Sequence, residues 1–220
     1  MRAAGLGVLL AVAVASGLPA QGRVPPEVAA VVEQLADSAA AVGLPVEPLR
    51  EKAIEGGAKG VPGERVIAAV RSLVARLGQA AAAARAAGLA KPGAEVIEAG
   101  AFALNAGLDR REVEALVRRS RPPYTPAATL RVAGTLAALG VPAVETAQLV
   151  EQAMDAGETP GELLDLPQQV ERGVARGASP GAAAAGLGLG RATAPGLNEP
   201  HGSPQGPQGQ GQGKGQSHKP

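Results

Sequence analysis

Apolar side chains recur through the middle of the chain at the three- and four-residue spacing that places them on one face of a helix. Val66, Ile67, Val70, Leu73, Val74 and Leu77 sit at i, i+1, i+4, i+7, i+8 and i+11. Val28, Val31, Val32 and Leu35 form a second stripe, and Val113, Leu116 and Val117 a third. No run of alternating apolar and polar positions marks a strand. The pattern predicts an all-α fold.

Between the stripes a short signal returns: Gly, an apolar residue, then Pro or a capping residue. It reads Gly43-Leu44-Pro45, Gly60-Val61-Pro62, Gly107-Leu108-Asp109 and Gly140-Val141-Pro142, with looser copies at Gly157-Glu158-Thr159-Pro160 and Gly177-Ala178-Ser179-Pro180. Gly at the left-handed position after one helix, an apolar staple and Pro in the first turn of the next helix make a stop followed at once by a start. Asp109 to Glu112 and Thr159 to Glu162 have the spacing of capping boxes. Pro167 would break a helix over 161–176, so 165–168 is expected to restart it. Gly43 to Gly60 and Gly140 to Gly157 are each 17 residues, and Gly107 to Gly140 is 33. The expected architecture is therefore a short array of αα-hairpins, either solenoid-like or an irregular bundle. Ala80 to Ala87 reads as helix by propensity and, with few large anchors, as a linker helix.

The two ends differ from this middle. Arg2, the uncharged run from Ala3 to Ala15, then Gly17, Pro19 and Ala20 have the order of a signal peptide, with cleavage after Ala20 or Gly17. Residues 194–220 hold 7 Gly, 5 Pro and 5 Gln with a single Leu. Such a segment cannot bury enough apolar surface to order its backbone and is expected to be disordered. The sequence thus divides into a signal peptide at 1–20, a lead-in at 21–26, a helical-repeat domain at 27–187 and a Gly/Pro/Gln-rich tail at 188–220. With the signal removed, no uncharged apolar run is long enough to span a bilayer, and the expected location is extracytoplasmic, periplasmic or secreted.

Composition narrows the chemistry. The 220 residues include no Cys, no Trp, one Tyr and one Phe, and the net charge is +1. Disulfide frameworks, thiolate nucleophiles and zinc clusters fall away, as do stacking platforms and a whole-protein case for nucleic acid. The 48 Ala make a core of small side chains. The aromatic positions of tetratricopeptide repeats and the Thr-Pro-Leu-His run of ankyrin repeats have no counterpart. His201 and His218, the only histidines, both lie in the tail, so no histidine of the helical zone could activate a Ser. No cofactor is expected.

Two charged clusters remain. Arg110, Arg111, Arg118, Arg119 and Arg121, with Tyr124 nearby, form a candidate anion or partner patch. From Val132 to Glu171 there is no Lys or Arg, and Asp155, Glu158, Glu162 and Asp165 form a candidate acidic patch that could dock internally on the arginines. The functional expectation is an exported, non-enzymatic helical-repeat module that binds an unidentified protein of the cell envelope. The alternatives are a structural or stress-response envelope protein without a dedicated partner and, more remotely, a carboxylate-based enzyme.

Overall fold

The structure, a computed structural model, describes residues 24–193, and these form helices alone. In chain order they are α1 (Pro26–Ala41), α2 (Glu47–Ala58), α3 (Gly63–Ala86), α4 (Ala94–Ala106), α5 (Arg110–Arg119), α6 (Pro126–Ala138), α7 (Ala143–Asp155), α8 (Pro160–Leu164), α9 (Leu166–Ala175) and α10 (Pro180–Thr193). The expected signal peptide at 1–20, residues 21–23 of the lead-in and residues 194–220, with both histidines, lie outside the described residues.

The stop signals act as local physics requires. Among the described residues every positive φ belongs to a glycine at a helix end, all six of the expected ones and Gly88 besides. At Gly60, φ is +64°, and the Val61 N–H donates to the Gly56 carbonyl at 2.9 Å while the Gly60 N–H donates to Gly57 at 3.0 Å. Gly140, at φ +92°, repeats the arrangement on Leu136 and Ala137. These are the paired bonds that satisfy the last carbonyls of a helix. The following apolar residue is tucked in: Leu44, Leu108 and Val141 are buried. Pro62 and Pro142 stand at the N-cap itself, one step before the first-turn position expected, because the cap takes the extended ψ that suits the chain there. Both capping boxes form: Asp109 accepts from the Arg111 and Glu112 amides at 2.7 and 2.9 Å, and Glu162 accepts from the Thr159 amide at 2.7 Å. Pro167 lies in the first turn of α9, as expected.

The helices stack in chain order. Each packs on the next, and α1 on α3, α3 on α5, α4 on α6 and α5 on α7. With α8 and α9 acting as one broken helix, α6 meets both and α10 meets α7 and α9. This is the two-row packing of an αα array, in which elements touch near neighbours in sequence. One step of that pattern, α2 on α4, is not closed.

Apolar side chains form two clusters, one centred on α1–α3 and the other on α5–α7 with α8–α10. The Ala run does not link them loosely, as the sequence suggested. Ala80, Ala81, Ala83 and Ala84 are fully buried, with Ala80 and Ala81 in the first cluster and Ala83 in the second. Small side chains are what let the helices close up here: a Cβ on Gly100 would stand 2.9 Å from the Ala80 Cβ. On Gly134 of α6 it would stand 2.5 Å from the Phe102 ring and 3.2 Å from the Ala103 Cα. By length and composition α3 would also pass for a membrane span. In this fold it is packed by α1, α2, α4 and α5.

The helical domain continues past the expected boundary at 187. α10 runs to Thr193, with Ala184 and Gly188 buried and Leu187 packed beside the second cluster. Packing on α7 and α9 overrides the weak helix propensity of its glycines.

Candidate functional site

The arginine and acidic clusters meet. The anion position at the start of α5 is filled by the Asp109 carboxylate of its own capping box. Arg118 pairs with Glu114 one turn back, and Arg119 reaches across to Asp155 at the end of α7. Arg110 and Arg111 border a shallow depression with Asp109 and Glu114, and Arg121 is exposed. Arg121-Pro122-Pro123-Tyr124 is a turn rather than an extended run: the Tyr124 N–H donates to the Arg121 carbonyl at 2.9 Å, and the Pro122–Pro123 peptide is cis.

That turn points Tyr124 inward, where its hydroxyl donates to the Glu158 carbonyl and lies 3.4 Å from that of Met154. Burial, and then the carboxylates of Glu158, Glu162 and Asp155, push the Tyr124 hydroxyl above its ordinary value of 10. Glu162 is engaged in the Thr159 capping box, and Asp165 sits exposed at the α8–α9 break. The two clusters therefore form a seam between α5, its following turn, and α7–α8, which is the internal docking weighed from the sequence.

A different surface is open. α2 packs on the first half of α3, where Gly56 meets Val66, and α4 on the second half, where Gly100 meets Ala80. Between α2 and α4 runs a groove of about 490 Å³. Each wall is a helical stripe: Pro48, Glu51 and Lys52 from α2, and Glu98, Ala101, Phe102 and Asn105 from α4. The floor is Ala69, Ser72, Leu73, Arg76 and Leu77 of α3. Phe102, the only phenylalanine, is 41% exposed there. The groove's volume lies in the range of ligand and peptide sites, and half of its lining is apolar, with charges of both signs among the rest.

Leu73 and Leu77 belong to the apolar stripe legible in the sequence, but nothing there marked them or the other groove residues as a binding surface. A signal was present: Gly60 to Gly88 is 28 residues against the usual 17, so one helix is too long for the repeat. Its extra length lets α2 and α4 pack side by side along it without closing on each other.

Among the described residues no three His, Cys, Asp or Glu side chains converge as a metal site. No known protein family, curated protein or solved structure matches this chain.

Proposed function

We propose that this is an exported, non-enzymatic helical-repeat protein of the cell envelope that holds a helix of a partner protein in the α2–α3–α4 groove. The observation that carries the reading is the groove itself, an interruption in the row of helices among the described residues. An amphipathic helix laid there meets Ala101 and Phe102 of α4, with Glu98 and Asn105 one turn to either side, and Ala69, Leu73 and Leu77 of α3. Charges of both signs, Glu51, Lys52 and Glu98 on the walls and Arg76 on the floor, set register more than affinity. The arginine patch supports partner binding less well, since Arg118, Arg119 and Tyr124 are engaged within the fold. Export rests on the order of Arg2, the apolar run and the small residues that follow.

The test is retention of envelope proteins on the immobilised chain, on Phe102→Asp and on Ala138→Asp, an exposed control on α6. A partner held by the first and third but lost by the second supports the groove. Retention indifferent to Phe102→Asp refutes it. Mass spectrometry of the protein from its host should find Leu18 or Gln21 at the N-terminus, and an intact Met1 on cytoplasmic protein refutes export.

A further inference from the structure

The floor of the α2–α4 groove holds a cation that the chain leaves unanswered. Arg76 lies beside Leu73 and Leu77 on α3 and is partly buried despite its charge. Among the described residues it enters no ion pair and no hydrogen bond. The other cation of the groove is engaged: Lys52 donates to Glu55 on its own helix at 2.8 Å. Glu98 is the counterpart of Arg76 on the α4 wall. It too is partly buried, and it too enters no ion pair among the described residues. The two opposite charges line one groove without meeting.

In the open groove water solvates both groups. Covering the groove changes that. A helix laid over Leu73, Leu77 and Phe102 strips water from Arg76 and Glu98 as well, and a charge that loses water without gaining a partner is penalised. The groove therefore discriminates against a helix whose contact face is apolar throughout, and against one that brings charges of the wrong sign. The guanidinium is a planar fork that takes a carboxylate through two parallel bonds. The carboxylate of Glu98 takes an ammonium or a guanidinium. Arg76 is on the floor and Glu98 on a wall, so the two demands fall at different places on the incoming helix.

We propose that the groove selects a helix with a carboxylate in the middle of its apolar face, received by Arg76, and a basic side chain at the edge of that face beside α4, received by Glu98. This partner chemistry rests on the α2–α4 groove being the binding site. Leu73, Leu77 and Phe102 supply the area that holds the helix, and Arg76 and Glu98 decide which helix is held.

Selection of a display library on the immobilised full chain tests this. The library consists of amphipathic helices about 18 residues long, with a Leu/Ala face and with Asp, Glu, Lys, Arg or Gln allowed at each position on and beside that face. The expected outcome is an acid enriched in the middle of the face and a base at one edge. Selection on Arg76→Gln should lose the acid alone, and selection on Glu98→Gln the base alone. Arg76→Lys, which keeps the charge, should keep the acid. Replacing the acid of the best helix by Gln should weaken its binding to the unmodified chain about tenfold, and should change little on Arg76→Gln. Helical circular dichroism checks that each variant keeps its fold. Phe102→Asp should abolish binding, which ties the selected helices to the groove. Helices that need Phe102 but show no charge preference would overturn the proposed partner chemistry and leave the groove standing. Helices that bind Phe102→Asp equally well, or a library that yields none, would overturn the groove and the partner chemistry together.

Discussion

Gly60 offers a test of the helix-stop chemistry with nothing else in the way. Its φ is +64°, and a Cβ built there meets no atom within 4 Å. Any loss on Gly60→Ala therefore comes from the backbone and not from a clash. The left-handed conformation costs an L-residue ~1–2 kcal/mol. Stiffening the unfolded chain with Ala returns ~0.4–1 kcal/mol, so the net loss is about 1 kcal/mol. For a domain of this size that lowers the thermal midpoint by ~2–4 °C. Gly60→Val should lose more, since β-branching is worse at positive φ. Gly78 supplies the opposite case. It lies inside α3, and a Cβ there also meets nothing within 4 Å. The same change at Gly78 should stabilise by ~0.5–1 kcal/mol, because glycine inside a helix costs about that much relative to alanine. Thermal unfolding followed by circular dichroism reads both. If Gly60→Ala melts with or above the unmodified protein while Gly78→Ala rises, the left-handed stop is wrong.

Two further outcomes follow from the seam. Asp109→Ala removes the α5 capping box and should cost ~0.5–2 kcal/mol in thermal or denaturant unfolding. Arg119→Ala, by contrast, breaks an ion pair whose partners are 47% and 61% exposed and should cost under ~1 kcal/mol, so a larger loss from Arg119 would refute this ranking. Tyr124 is the only tyrosine and there is no tryptophan, so near-ultraviolet absorbance reports its ionisation alone. The midpoint should lie above 10. A raised folded-state value means that the contribution to stability is complete below the unfolded value and lost as pH rises through the folded one. Tyr124→Phe should therefore flatten the fall in stability at alkaline pH, and a midpoint at or below 10 would show the ring to be solvated.

What the sequence disclosed was the part written locally. A helix stop needs one glycine and a few backbone bonds, so Gly43, Gly60 and Gly140 declared themselves, as did the capping residues Asp109 and Thr159. Ala80 to Ala87 misled because alanine looks like a poor anchor when residues are weighed singly. Its value lies in what it allows, the close approach of Gly100, which is a property of two helices. The C-terminal glycines misled in the same way, since Gly188 is helical for the sake of its contact with α7. The groove was hidden more deeply. It exists because two helices fail to meet, and neither α2 nor α4 carries a mark of that in its own residues.

The span of α3 across both clusters bears on how the molecule comes apart. Helices that touch only near neighbours close short loops, which favours rapid folding and lets unfolding begin at either end. Left to themselves, the α1–α2 end and the α5–α10 end would melt as separate units. α3 contributes Leu77, Ala80 and Ala81 to one cluster and Ala83 to the other within two turns of a single helix. Opening either cluster exposes a side of the rod that supports the other. α4 does the same, with Ile97 and Ala101 in one cluster and Ala99 and Ala103 in the other, so the two helices together couple the halves, and damage at their contact would split one melting step into two.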